Sequence, residues 1–185
     1  MYLKIYNAVM LSGWGLTLAF SVMELIGMSA PLSPFLTVIL VQSLALLEIL
    51  HVLLGLVKSS IFFTNIQVLG RLLYACFLFS ICRDLFPEDW IYLTCILAWS
   101  MADTVRSLYY LTKNKVTGFL RYNLFLILYP IGQLIEFLCC WIIIFKGNHP
   151  IRFLLIPLAL SYFVLGKNIF VHMLDRRARY LISRR

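Results

Sequence analysis

Apolar residues along this chain are grouped into six long runs. Short segments that contain Pro, Asn, Gly or Ser separate the runs. Because a helix needs about 20 apolar residues to cross the hydrocarbon of a bilayer, each run predicts one membrane-spanning helix. We therefore expect an all-α integral membrane protein, a single bundle of six transmembrane helices over 5–28, 35–57, 61–82, 90–112, 119–145 and 151–173, followed by a basic tail over 174–185.

Composition agrees with this pattern. The 185 residues are 62% hydrophobic and 13% charged, whereas soluble domains are about 45–50% apolar and about 25% charged. A soluble protein is therefore excluded. The loops between the predicted helices are too short to hold a separate soluble domain.

Lysine and arginine are distributed unevenly between the two ends of the predicted bundle. Basic residues are retained on the cytosolic side of a membrane, so the richer end is expected to be cytosolic and to include both termini. The basic tail is expected to lie against anionic lipid headgroups, and we do not expect nucleic-acid binding. The other end has only Arg83, Lys146 and Arg152. The cytosolic set is Lys4, Lys58, Lys113, Lys115, Arg121, Arg176, Arg177, Arg179, Arg184 and Arg185.

Seven charged side chains fall inside the predicted spans, where each is costly unless it faces a partner or a cavity. Asp103 and Arg106 are three residues apart on one helix face, and Gln67 and Arg71 are four apart on another. Glu48 is the expected counter-charge of Arg71. Pairing that serves insertion alone is the alternative to a polar ligand site. The seven are Glu24, Glu48, Arg71, Asp103, Arg106, Glu136 and Lys167.

The fifth run places a tyrosine and a glutamate on one side of a helix. Tyr129 and Glu136 are seven residues apart, which is two helical turns. Pro130 and Gly132 predict a bend beside Tyr129. A phenol and a carboxyl on one face form a candidate acid–base pair for a single ligand. A packed aromatic and a glutamate paired for insertion remain the alternative.

The cysteines show no spacing typical of a metal site or a disulfide framework. They are odd in number, lie in or beside apolar runs, and include no CxxC pair. The three histidines are scattered along the chain. We expect no metal, and we expect the cysteines to be small buried side chains. They are Cys76, Cys82, Cys95, Cys139 and Cys140.

Five blocks of sequence, in order from the second span to the tail, resemble the very-long-chain 3-hydroxyacyl-CoA dehydratases. This family is also called the protein tyrosine phosphatase-like proteins of the endoplasmic reticulum. The combination of blocks is specific, although no single block is. The blocks are LALLEILHVLLGLVKSS (44–60), NIQVLGR (65–71), WSMADTVRSLYY (99–110), LRYNLFLILYPIGQLIE (120–136) and HMLDRRARYL (172–181).

The resemblance implies which residues form the site. The catalytic pair in the family's YPxGxxxE arrangement falls on Tyr129 and Glu136. Asp103 departs from the family pattern WxxxExxR, which has Glu in that slot. No cysteine is followed six positions later by arginine, so the CX5R loop of a phosphatase is absent from the sequence. The implied supporting or substrate-binding residues are Glu48, Gln67, Arg71, Asp103, Arg106 and Arg121.

The resemblance also implies an activity and a location. The reaction is dehydration of a 3-hydroxyacyl-CoA to a trans-2-enoyl-CoA, a hydro-lyase step of fatty acid elongation that needs no cofactor. The implied place is the endoplasmic reticulum membrane, beside a condensing enzyme and the ketoacyl and enoyl reductases. We expect CoA near Lys113, Lys115 and Arg121, with the acyl chain among the helices. A small membrane transporter and a catalytically silent scaffold of the elongation complex remain alternatives, although the chain shows no inverted repeat.

Overall fold

The computed structural model of the chain describes residues 1–85, 90–146, 150 and 152–182, with the side chains at 82–84, 152, 158 and 161–163 left out of that description. Within the described residues, all regular secondary structure is helical. The α-helices are α1 (Tyr2–Leu25), α2 (Pro34–Leu44), α3 (Leu46–Leu53), α4 (Ile61–Leu73), α5 (Phe79–Leu85), α6 (Trp90–Thr112), α7 (Lys115–Lys146) and α8 (Arg152–Ile182).

Two of the predicted spans are each built from two helices. A break at Ala45 separates α2 from α3. One π-helical turn, Tyr74–Leu78, joins α4 to α5. The wider turn places Tyr74 in the core, where its hydroxyl lies 3.0 Å from Sγ of Cys140 on α7. This contact joins the irregular turn to α7.

Within the described residues, four helical stretches are long and apolar enough to cross a membrane. They are Tyr2–Leu25, Pro34–Leu53, Ile61–Ile81 and Lys115–Lys146. The predicted fourth span falls on α6, where Asp103, Arg106 and several hydroxyl side chains lower the hydropathy. The predicted sixth span falls on α8, several of whose side chains lie outside the description. The all-helical class is confirmed, but the count of six crossings is not.

The bundle is organised around α6. This helix packs against both α1 and α7, and α8 packs along α7. Trp14 of α1 and Ile96 of α6 are almost fully buried in the shared core. Gly13 permits close approach of α1 and α2, because a Cβ at that position would lie 2.7 Å from Cγ2 of Val41. The apolar core therefore fixes the position of α6, the helix that carries several of the polar residues described below.

Large apolar side chains are exposed on the outside of the bundle, whereas two of its carboxyl groups are buried inside it. Leu16 and Leu134 are 53% and 65% exposed, whereas Asp103 and Glu136 are 3% and 9% exposed. Large exposed apolar surfaces are rare on soluble monomers but suit contact with lipid chains. Cys95, Cys139 and Cys140 are buried, as expected from the sequence, whereas Cys76 is only partly buried and the expectation for it is wrong. The side chain of Cys82 lies outside the description, so its expected burial stays a prediction.

The predicted tail is not a separate segment where the structure describes it. Helix α8 runs without interruption to Ile182, so residues 174–182 extend the last helix beyond the apolar run. The end of the tail at 183–185 lies outside the described residues. The basic side chains of this extension are therefore displayed on a helix, which fixes their spacing.

Candidate functional site

Four charged side chains form one continuous network inside the bundle. Arg106 of α6 makes a two-point contact with Glu48 of α3, with Nη1 and Nη2 donating to the carboxylate oxygens at 3.0 and 2.5 Å. Nε of Arg106 lies 2.9 Å from Oδ1 of Asp103, one turn away on α6. Arg71 of α4 donates to Oδ2 of the same Asp103. The network thus joins α3, α4 and α6 and balances two positive with two negative charges.

One expected pairing is confirmed and another is wrong. The Asp103–Arg106 contact forms at the spacing read from the sequence. Glu48 pairs with Arg106 instead of with Arg71, because the fold places Asp103 next to Arg71. Two arginines sharing Asp103 leave no charge in this cluster without an opposite neighbour. Such balance matters because an uncompensated buried charge is strongly destabilising.

The Glu136 carboxyl is buried beside this network. Its Oε1 accepts a hydrogen bond from the indole Nε1 of Trp99 at 2.8 Å. The Arg71 guanidinium lies over the same indole ring, 5.3 Å from its centroid, in cation–π geometry. Trp99 therefore stands between the ion network on one side and the carboxyl on the other.

Tyr129 lies two turns before Glu136 on α7 and contacts α8. Its hydroxyl donates to the carbonyl oxygen of Gly166 at 3.0 Å. Its ring stacks on Phe170, with the centroids 5.7 Å apart. The hydrogen bonds of Tyr129 and Glu136 thus lead to different helices, α8 and α6.

The backbone of α7 continues through Pro130. The expected bend at this residue therefore stays a prediction, as does the action of Tyr129 and Glu136 on one ligand. Within the described residues, the two side chains share no direct hydrogen bond. A rise of about 1.5 Å per residue separates their Cα atoms by about 10 Å along α7.

A cavity of about 460 Å³ opens beside the ion network. Gln67 and the four network residues line its interior, together with buried Trp14 and Gln42. Lys115, expected from the sequence to lie near CoA, is not among the described residues that line it. The remaining cations in the lining come from five separate parts of the chain. They are Lys4, Lys58, Lys113, Arg121 and Arg176.

A second cavity, of about 450 Å³, lies between α7 and α8. Its lining includes Tyr129, Leu134, Phe137, Phe170 and the exposed Lys167. Phe125 of the first lining contacts Phe170 of the second, with ring centroids 5.9 Å apart. The two linings therefore meet along α7 and α8, and Tyr129 borders the more apolar space.

Two residues beside the candidate pair carried no role in the sequence interpretation. Trp99 precedes Asp103 by one turn and Arg106 by two, so its position on the same helix face was a usable signal. Gly166 gave no such signal, because its carbonyl reaches Tyr129 only through the packing of α8 on α7.

An apolar exterior, a charge-balanced interior network and a cation-lined cavity together are the features of a helical membrane protein with a polar site inside its bundle. The family model described as "Protein tyrosine phosphatase-like protein, PTPLA" matches residues 42–183. The chain belongs to this family. The matched range contains all five sequence blocks that carried the resemblance. No solved structure matches the chain.

Curated relatives carry dehydratase names. The "Probable very-long-chain (3R)-3-hydroxyacyl-CoA dehydratase" of Schizosaccharomyces pombe is 38% identical over 160 residues, covering 78% of this chain and 73% of the relative. "Very-long-chain (3R)-3-hydroxyacyl-CoA dehydratase 2" of Mus musculus is 28% identical over 211 residues, covering 97% and 80%. "Very-long-chain (3R)-3-hydroxyacyl-CoA dehydratase 1" of Mus musculus is 28% identical over 209 residues, covering 97% and 73%.

Proposed function

We propose that this protein is a very-long-chain 3-hydroxyacyl-CoA dehydratase that forms trans-2-enoyl-CoA in fatty acid elongation. Its family and the names of its relatives support the reaction class. The observation that carries the assignment to a site is the buried Glu136 carboxyl. That carboxyl is held by Trp99 on α6, two turns from the Tyr129 phenol on the same helix.

The reaction needs one base and one acid. The C2–H bond, acidified by the thioester carbonyl, breaks and its electron pair forms the C2=C3 double bond. The C3–O bond breaks as the hydroxyl takes up a proton and leaves as water. Tyr129 and Glu136 are the proposed pair, in either order of roles. In the structure, the Tyr129 hydroxyl donates its proton to the Gly166 carbonyl, so the phenol oxygen can still accept a hydrogen bond. To donate to the substrate, Tyr129 must first break its hydrogen bond to Gly166.

The ion network is proposed to hold this pair in place. Arg71 bridges Asp103 and the Trp99 ring, so it links the network to the residue that holds Glu136. Arg106 contacts the other carboxylate oxygen of Asp103 and is itself paired with Glu48. Gln67 shares the cavity lining with them, one turn from Arg71. Charge-assisted contacts of this kind restrict side-chain motion, which favours a fixed geometry at the reacting carbons.

The two cavities suit the two halves of the substrate. The cation-lined cavity fits the polar thioester end, whereas the space beside Tyr129 and Phe170 is lined mostly by apolar groups and suits an acyl chain. The Phe125–Phe170 contact joins the linings near Tyr129. The reacting carbons would then lie beside Tyr129, where the substrate passes from one cavity to the other.

The proposed setting is the endoplasmic reticulum membrane, with six crossings and both termini in the cytosol. The uneven distribution of Lys and Arg supports this orientation, since five residues of the cytosolic set line one cavity. Proposed partners are the condensing enzyme and the ketoacyl and enoyl reductases, which make the substrate and use the product.

Detergent-purified protein incubated with a 3-hydroxyacyl-CoA tests the activity. We expect loss of one water from the substrate and appearance of the enoyl-CoA, followed by chromatography with mass detection. Protein of native size on gel filtration that forms no enoyl-CoA from any chain length offered would overturn the proposed function.

A further inference from the structure

The cations at the exposed end of the first cavity come from distant parts of the chain. Lys4 lies near the start of α1, Lys58 between α3 and α4, Lys113 between α6 and α7, Arg121 on α7 and Arg176 on α8. Three of them are exposed and the two arginines are half-buried. Five separate segments thus bring positive charge to one mouth, which we call the basic rim.

The acidic residues of the cavity do not neutralise this rim. Among the described residues, the lining contains Glu48 and Asp103 as its acids, and both are engaged by Arg106 and Arg71 deeper in the cavity. The interior network is therefore balanced by itself, and the charge of the rim is left for an outside partner. Like charges gathered at one opening attract and concentrate anions there.

Arg121 is the most constrained cation of the rim. Its guanidinium lies 4.9, 4.3 and 5.2 Å from the ring centroids of Tyr109, Tyr110 and Tyr122. Its Nη2 also donates to the Tyr110 hydroxyl at 2.8 Å. A guanidinium has five N–H donors, so this arrangement fixes the group while leaving donors for an anion. Fixed planar donors suit the oxygens of a phosphate.

We propose that the basic rim binds the phosphate groups of the CoA carrier, with Lys113 and Arg121 as the residues that contact them. This inference rests on the proposed function and adds a defined phosphate subsite to it. The thioester arm then enters the cavity toward the ion network, and the acyl chain continues past Phe125 and Phe170. Binding of the carrier is thereby separated from the chemistry at Tyr129 and Glu136.

A lipid headgroup offers the same phosphate chemistry at a membrane surface. The cavity favours the carrier because the rim continues inward into a space lined by Gln67, Asp103 and Arg71. A lipid headgroup is held at the bilayer surface by its own acyl chains and does not need a polar interior behind the rim. The CoA carrier has a long polar arm, and this arm needs a polar space between the rim and the reacting carbons.

The test compares two thioesters with the same 3-hydroxyacyl chain, one on CoA and one on phosphate-free pantetheine. Lys113→Gln and Arg121→Gln should each lower kcat/KM for the CoA thioester about five- to tenfold, mainly through KM, and less so at high salt. Turnover of the pantetheine thioester should match that of the parent. Glutamine is chosen because it keeps much of the side-chain stem.

Lys115→Gln is the matched control. Lys115 lies two residues from Lys113 and is exposed, but it is not part of the described cavity lining. It should leave turnover of both thioesters unchanged. An equal loss with Lys115→Gln, which would indicate a diffuse surface charge, overturns the proposal. So does an equal loss for both thioesters in the rim variants.

Calorimetry of CoA binding keeps the subsite testable apart from catalysis. In phosphatidylcholine nanodiscs, CoA should bind the parent more tightly than pantetheine does, and the rim variants should lose that difference. This binding result would support the phosphate subsite even if neither thioester were turned over. A lack of turnover would reject the proposed function alone. If phosphatidylglycerol displaces CoA from the parent, the rim holds lipid phosphate and the proposal fails.

Discussion

The indole N–H of Trp99 on α6 donates to Oε1 of Glu136 on α7 at 2.8 Å, across the centre of the bundle. The Arg71 guanidinium lies over the ring of the same indole, 5.3 Å from its centroid. A carboxyl held from a neighbouring helix has a restricted direction, and proton transfer at a single carbon depends on such direction. We therefore expect Trp99 to act as a positioning residue for Glu136.

Replacing Trp99 with Phe keeps an aromatic ring under Arg71 and removes only the N–H donor to Glu136. We expect kcat to fall about 10- to 100-fold with little change in KM, because misorientation of a reacting group affects the chemical step. Trp141→Phe is the control, since its buried Nε1 has no hydrogen-bond partner among the described residues. Similar losses in both variants would show that general packing, and not the bond to Glu136, is at work.

Tyr129→Phe and Glu136→Gln each remove a transferable proton while keeping the shape of the side chain. Each should lower the rate of enoyl-CoA formation by about 10²- to 10⁴-fold. The double variant should be little slower than the slower single one, because groups that act as a unit are not additive.

The control for this pair is Glu24→Gln, at the end of α1 opposite the residues that line the cavity. It should retain parental turnover. All variants should elute like the parent on gel filtration. Near-parental rates in Tyr129→Phe and Glu136→Gln would exclude these two residues as the catalytic pair.

Arg71→Met removes one charge from a balanced network and leaves Asp103 with Arg106 alone. We expect destabilisation of about 2 kcal/mol, below the cost of breaking a fully buried pair because Arg71 is 27% exposed. Thermal unfolding in detergent should show a lower Tm. Adding Asp103→Asn should recover part of the loss, since the Glu48–Arg106 pair then remains balanced.

Turnover should separate the network charges from the charges of the tail. Arg71→Met should slow dehydration, whereas replacing Arg184 and Arg185 with Ala should leave both Tm and turnover nearly unchanged. Equal effects on turnover would contradict the division between network charges and tail charges.

Orientation is tested with tags at Met1 and Arg185. Both tags should be cleaved by protease added outside sealed microsomes, because the basic bias predicts two cytosolic termini. The positive control for protection is a tag inserted between α7 and α8, because the loop after Lys146 is expected to be luminal. Protection of either terminus would require an odd number of crossings or the opposite orientation.

The sequence determined the helical membrane class and the family. Long apolar runs force helices in lipid, where every backbone polar group must be bonded within its own segment. The i, i+3 spacing of Asp103 and Arg106 determined their contact in the same way, because it lies within one helix. Helix formation and this contact both depend on residues that are close together along the chain.

Tertiary structure decided the contacts between helices. The sequence suggested Glu48 as the partner of Arg71. In the packed bundle of α3, α4 and α6, Arg71 instead pairs with Asp103, and Glu48 pairs with Arg106. It likewise placed the Trp99 N–H on Glu136 and the Gly166 carbonyl on Tyr129. Helical periodicity gives the face on which a side chain lies, but the facing residue depends on the rotation and depth of the neighbouring helix, which the packing of the whole bundle sets.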